Sequence, residues 1–232
     1  MGETVFVTAM HRSGSTHIAR TICMAKPGIY HPGFLSIGTT GDDPHTLSYE
    51  TAQHHAVRFD SLPFVMHSHT LASHGTLKIL EAGGVDKIVV VTRSIKDILR
   101  SVCVAHRSGA QMPNVHLPMG WKEWGAVDQM MWLVRNLSPW LFSFYVTWSQ
   151  RAPHAIMVNY EKHYKDEKAG NKNIFNYLGI KDTPRIFKLS DEEDRRIKGE
   201  KPRWTGEMDL ELVRIAKSWG PMFQLMKEDG IV

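Results

Sequence analysis

Two cysteines, Cys23 and Cys103, are too few for a disulfide framework, and neither belongs to a C-x-x-C or C-x₅-R pattern. Both fall on apolar faces of segments with helical spacing, which reads as buried free thiols in a reducing compartment. Long apolar runs are also missing. The most apolar stretch, Leu137 to Trp148, contains Pro139 and falls well short of the ~20 residues a spanning helix needs, so no membrane partner is expected. A strand-like run already begins at Thr4, which leaves no room for a secretory leader and makes a cytoplasmic location the expectation. Charge of one sign is scarce too: 28 Lys+Arg stand against 24 Asp+Glu, a net +4 with no basic block interleaved with aromatics. That balance suits a small anionic ligand and argues against nucleic acid as a partner. The triphosphate-binding pattern G-x-x-x-x-G-K-[ST] is absent, because no Lys follows Gly14 and no Gly stands five residues before it. This disfavours a kinase or ATPase. No repeat, low-complexity tract or linker divides the 232 residues, and 42% apolar with 22% charged content predicts a single folded domain over 1–232. Nothing in this composition reads out an oligomeric state.

What is present begins at the N-terminus. Thr4-Val5-Phe6-Val7-Thr8 is a β-branched run that predicts a buried strand. It breaks into a short turn around Gly14, and Ser15 and Thr16 lead into a helix with apolar residues at Ile18 and Ile22. A strand, a glycine turn and a helix N-terminus together form an anion site, since the first backbone N–H groups of the helix have no internal partner and the helix dipole favours negative charge there. Arg12 adds a positive fork, and the hydroxyls of Ser13, Ser15 and Thr16 add donors. A strand–turn–helix capped by Ser or Thr also occurs for purely structural reasons.

Strand and helix patterns alternate along the chain. Strands are expected near 4–9, 63–67, 87–92 and 154–158, with helices near 15–26, 44–58, 73–83, 95–106, 121–150 (broken at Pro139), 168–178, 182–189 and 208–227. Such alternation predicts an α/β fold with a parallel sheet and helices on both faces, in which ligands bind beyond the carboxyl ends of the strands. His-Arg-Ser-Gly occurs at 11–14 and again at 106–109. The second copy follows a helix, so Gly109 reads as a helix C-cap and the echo as chance. The aromatics between Trp121 and Trp148 have helical spacing and read as core.

A second anion signal lies at Lys87 to Arg93, a strand-like run ending in a positive charge, with Ser94 and Asp97 in capping-box-like positions and Ser101 eight residues beyond Arg93. Val-Thr-Arg-Ser-Ile-Lys-Asp-Ile-Leu-Arg-Ser (91–101) resembles the 3′-phosphate segment of sulfotransferases that use 3′-phosphoadenosine 5′-phosphosulfate (PAPS), Arg-Asp-Pro-Arg-Asp-Val-Leu-x-Ser, with Ser94 and Ile95 replacing Asp-Pro. Arg12-Ser13-Gly14-Ser15-Thr16 is similar to the family's 5′-phosphosulfate loop. Val158-Asn159-Tyr160-Glu161 resembles its Tyr-Glu-Asp stretch, and Lys198-Gly199 before Trp204 its Arg-Lys-Gly-x-x-Gly-x-Trp, with Ile197 and Pro202 departing. Asn176-Tyr177-Leu178-Gly179-Ile180 is similar to its Phe-Leu-Gly turn. The matches run in order from residue 5 to 204.

The resemblance implies a P-loop-like fold and sulfuryl transfer from PAPS, leaving adenosine 3′,5′-bisphosphate (PAP), to a hydroxyl or less readily an amine of a small-molecule acceptor, without an obligatory metal. It implies that Arg12 stabilises the leaving phosphate, that Ser13, Gly14, Ser15 and Thr16 hold the phosphosulfate, and that Arg93 and Ser101 hold the 3′-phosphate under a flap carrying Lys198 and Gly199. Tyr160 would meet the adenine or belong to the core. Pro63 to Thr70 ends in His67-Ser68-His69, which resembles the family's Lys-x-His segment. By that register His69 is the base, with His67 where the family has Lys; which histidine serves stays open. A histidine accepts a proton near neutrality, and a His-x-His strand end also suits a metal, for which no accompanying ligand set is evident. Segments 27–50 and 107–125, with His31, Phe34, Tyr49, His116, Trp121 and Trp124, are candidates for the acceptor pocket or for lid packing. A small-metabolite kinase and a catalytically silent nucleotide binder remain the alternatives.

Overall fold

In the computed structural model the described residues are 4–25, 64–85, 87–109, 117–181 and 202–232. The helices expected at 44–58 and 182–189, together with His31, Phe34, Tyr49, His116, Lys198 and Gly199, lie outside them. Four parallel strands form one sheet in the order β2-β1-β3-β4: β1 (Thr4–Ala9), β2 (Phe64–Ser68), β3 (Lys87–Thr92) and β4 (Ile156–Asn159). The chain leaves β1 toward β2 and then crosses back to β3 on its other side. That reversal opens a crevice at the carboxyl end of the two inner strands, where open α/β sheets bind ligands.

The chain divides into two compact units, residues 1–92 with 147–188 and residues 93–146 with 189–232. The first contains the sheet. Alternation along the strands sends Val5, Val7, Ala9, Val65, Val89, Val91 and Val158 to one face. There they pack against Ile18, Ile22 and Ala25 of α1 (Ser15–Ala25) and Ile174, Phe175 and Leu178 of a later helix, Glu167–Leu178. Each fully buried aliphatic contributes ~1.5–3 kcal/mol, so this face alone fixes the strand register. Phe6 points the other way and meets Trp148 at 6.1 Å between ring centroids. Helix α2 (His74–Ala82) begins at Ser73, whose side chain accepts from the Thr76 N–H.

The second unit is helical. It holds α3 (Ile95–Arg107), a single 3₁₀ turn (Trp121–Glu123), α4 (Ala126–Asn136), residues 138–146 of α5 (Ser138–Arg151) and two C-terminal helices described below. Trp121, Phe142, Phe144 and Tyr145 are buried here, as the helical spacing of the aromatics predicts, whereas Trp124 is exposed. The burial of Trp121 assigns it to the core and not to a pocket wall. Gln129 ties it in, donating to the carbonyls of Trp121 and Lys122.

Several boundaries differ from the sequence reading. The break in 121–150 falls at Leu137, and Pro139 sits in the first turn of α5, where its missing N–H costs no helical bond. Ser94 stands at the N-cap of α3 but makes no side-chain capping bond. A short helix, α6 (Tyr160–Lys165), follows β4 directly because the Asn159 side chain accepts from the Lys162 N–H. It is followed by α7 (Glu167–Leu178), capped by Asp166. The helix expected over 208–227 is two, α8 (Gly206–Lys217) and α9 (Met222–Glu228), parted at Gly220-Pro221 where Gly220 has φ +56°.

Candidate active site

The loop after β1 is anchored at its start by the Met10 N–H, which donates to the Val91 carbonyl of β3 at 3.0 Å. Buried Ser13 donates its hydroxyl to the Met10 carbonyl at 2.6 Å, so that proton closes the turn and Ser13's offer to an anion is its backbone N–H. Arg12 has φ +57°, a left-handed conformation that costs a non-glycine residue ~1–2 kcal/mol, and Gly14 follows at φ +76°. The first helical bond runs from the Ile18 N–H to the Gly14 carbonyl at 3.2 Å. The N–H groups of Ser15, Thr16 and His17 therefore precede the helical ladder at the positive end of an 11-residue helix. Ser15 is buried and Thr16 exposed.

Gly14 is required for a second reason. A Cβ there would lie 2.7 Å from Tyr160 Cε2 and 3.2 Å from the Tyr164 hydroxyl. Tyr160, the first residue of α6 at the carboxyl end of β4, thus lies across the loop glycine, with Tyr164 beside it at 4.4 Å between centroids. Tyr164 in turn contacts His17 at 5.2 Å, and His17 Nε2 is 2.6 Å from Glu167 Oε1. The sequence reading missed Tyr164, His17 and Glu167; the last two are 150 residues apart, and no local signal joins them. Beside this pair His163 is buried, and burial first, with His17 adding to it, holds its pKa below the usual value against the opposing pull of Glu167.

The end of β2 supplies the histidines. His67 and His69 alternate onto the side of the sheet that carries α1. His67 is fully buried, with Nε2 2.7 Å from Ser15 Oγ, so it reaches the first turn of α1 through a hydroxyl. His69 is half-buried, and its Nδ1 is 2.6 Å from the carbonyl oxygen of Ala9. A carbonyl only accepts, so Nδ1 carries the proton and the neutral ring keeps its lone pair on Nε2. His11 stacks on His69 at 4.3 Å between centroids, and His67 stands edge-on to it at 5.8 Å. His11 is a further residue the sequence reading did not single out. Among the described residues no set of three or more His, Cys, Asp or Glu is arranged to hold a metal.

The first unit therefore brings together Arg12, Ser13, Gly14, Ser15, Thr16, His67, His69 and Tyr160, all at the carboxyl ends of β1, β2 and β4. In the second unit Arg93 is half-buried immediately past β3, and Ser101 is half-buried on α3. There the Lys96 ammonium lies 5.1 Å above the Trp204 ring, and Trp204 donates to Asp209 at 2.6 Å.

No family model and no curated protein sequence matches the chain. Solved structures do. Mouse sulfotransferase SULT7A1 complexed with PAP superposes with a TM-score of 0.63 at 14% identity, over 97% of this chain and 87% of that one. The chain has the fold of the sulfotransferases. A sulfotransferase from Alicyclobacillus acidocaldarius gives 0.52 at 12% identity, over 94% and 96% of the two chains. The sulfotransferase domain from the curacin biosynthetic pathway gives 0.50 at 12%, over 90% and 82%. At such identities the likeness is one of architecture. Within this sulfotransferase fold, the loop after the first strand and the two histidines after the second occupy strand ends next to each other in the sheet.

Proposed function

We propose that this protein is a PAPS-dependent sulfotransferase that transfers a sulfuryl group to a hydroxyl of a small-molecule acceptor. The observation that carries the reading is the bond from His69 to Ala9, the last residue of β1. A base with a defined tautomer is thereby held at the residue from which the loop after β1 departs.

The residues present fit the donor. A phosphosulfate needs fixed positive charge and converging N–H groups, and Arg12 with the first turn of α1 supplies both. When bound, PAPS supplies an activated sulfuryl group on a phosphate leaving group. Arg12 stabilises negative charge developing at the loop, and the backbone N–H groups from Ser13 to Thr16 orient the same anion. His69 Nε2 takes the proton of the acceptor hydroxyl, while the Ala9 carbonyl stabilises the imidazolium that forms at Nδ1. Tyr160 holds the loop glycine in shape and borders the adenine. Arg93, Ser101, Lys198 and Gly199 take the 3′-phosphate, a role that rests on the sequence resemblance.

Calorimetric titration with adenosine 3′,5′-bisphosphate tests the reading. Binding heat is expected with the bisphosphate, and in a sulfation assay turnover should be lost in His69→Ala and lowered at least ~10²-fold in Arg12→Ala. Heat with Mg-ATP and none with the bisphosphate would overturn it in favour of a kinase. Tight bisphosphate binding with no sulfation across hydroxyl and amine acceptors would leave a silent binder.

A further inference from the structure

We infer that Thr8 and Trp148 are positioning residues for His69, acting through the carbonyl of Thr70; the catalytic meaning of this inference rests on the function proposed above. Strand β2 ends its ladder with β1 at the pair Thr8–Ser68. His69 and Thr70 therefore follow the last strand pair, and side chains hold the segment where the ladder stops. The Thr70 carbonyl accepts from Thr8 Oγ1 at 3.2 Å and from Trp148 Nε1 at 2.8 Å, which occupies both of its lone pairs. All three residues are fully buried. The hydroxyls of Ser68 and Thr70 bond each other, so the residues on both sides of His69 are tied together. Two residues on, Thr147 accepts from the Ala72 N–H and Arg151 donates to the Ala72 carbonyl, both at 3.3 Å.

The pleat explains why this arrangement acts on His69. Successive side chains alternate, so Ser68 and Thr70 turn to the face that carries Phe6, Thr8 and Trp148, while His67 and His69 turn to the loop. Fixing Thr70 from behind fixes the backbone from which His69 projects forward. The Nδ1–H bond to Ala9 needs that backbone in place, because a displacement of 1 Å breaks a hydrogen bond of 2.6 Å. Thr8 thus serves the base from the sheet face opposite to it. Its neighbour Ala9 accepts the hydrogen bond from the base's Nδ1–H, so two consecutive residues of β1 hold His69 by independent routes.

The test uses Thr8→Val, which keeps shape and removes the donor, Thr8→Ser, which restores it, and Trp148→Phe. Long-range ¹H–¹⁵N correlation of the histidine rings reads the His69 tautomer directly, with or without turnover. The wild type is expected to show one neutral tautomer with the proton on Nδ1, and Thr8→Val and Trp148→Phe a mixture of both. Sulfation kcat is expected to fall about 10- to 100-fold in these variants, with the KM for donor within about twofold. Thr8→Ser should recover both signals. An unchanged tautomer in folded Thr8→Val overturns the inference, even where kcat falls, because such a fall would mark lost packing alone. If Trp148→Phe does not fold, the isosteric Thr8→Val decides by itself. Absence of sulfation by the wild type would defeat the proposed function and leave the tautomer measurement to decide the positioning role.

Discussion

The tetrapeptide His-Arg-Ser-Gly occurs twice, and the two copies share more than sequence. Ser13 donates to the carbonyl three residues before it at 2.6 Å, and Ser108 does the same at 2.7 Å. Gly14 has φ +76° and Gly109 φ +82°. His11 stacks on His69 and His106 contacts Trp121. The difference is the helix. At 11–14 the turn precedes α1, so first-turn N–H groups and the positive end of the dipole face the loop; at 106–109 it ends α3, where carbonyls and the negative end gather. The same four residues lead into a helix N-terminus in one place and stop a helix in the other. Arg12 bears the left-handed conformation in the first copy, whereas Arg107 is the last residue of a helix in the second and donates to Gln129.

Substitution in pairs should break this symmetry. The largest separation is expected at the arginines. Arg12→Ala should lower kcat for sulfation about 10²–10³-fold, the size typical of a lost oxyanion donor. Arg107→Ala should leave kcat unchanged and cost at most about 1 kcal/mol in a urea titration, since its side chain is exposed. Next come the glycines. Gly14→Ala meets the Tyr160 ring as well as the positive φ, and should cost about 3 kcal/mol and weaken bisphosphate binding at least ~100-fold. Gly109→Ala meets nothing within 4 Å, so only the ~1–2 kcal/mol of left-handed strain should appear, with binding unaffected.

Smaller effects sharpen the comparison. Burial first, and the charge of Lys122 second, hold the His106 pKa below its ordinary value, and burial does the same at His163. Each contributes stability that is complete above the unfolded pKa of about 6.5 and is lost as the pH falls toward the lower folded value. The urea midpoint should therefore drop on acidification below pH ~6.5, and less steeply in His106→Gln. Smallest are the serines: Ser13→Ala should cost about 1 kcal/mol by removing a buried bond, and Ser108→Ala, which is exposed, less than that.

Much of the fold was legible because its signals are local. The β-branched runs at 4–9 and 87–92 form strands with those limits, since continuous apolar stretches of that length can be buried only between helices. The turn at 11–16 was legible because a β-branched run stops at glycine and hydroxyl residues that lead directly into an apolar-periodic helix. The break near Pro139 was misplaced by two residues, because a proline is tolerated in the first turn and the pattern cannot say on which side of it the helix starts. Tyr160 lies just past the strand expected over 154–158, with no helix expected before 168; the capping side chain of Asn159 begins a helix there, and this puts the ring on Gly14.

Residue types and order determined, by themselves, the alternating architecture, the glycine turn between the first strand and the first helix, and the pair of histidines at a strand end. Backbone conformation and apolar periodicity are properties of neighbouring residues, so they can be read along the chain. Only the tertiary structure decided that Ala9 sets the tautomer of His69, that Ser15 binds His67, that Thr8 and Trp148 share one carbonyl, and that Glu167 pairs with His17. Those bonds join residues tens to 150 positions apart, and their partners are chosen by strand order and pleat, which exist only once the sheet has formed.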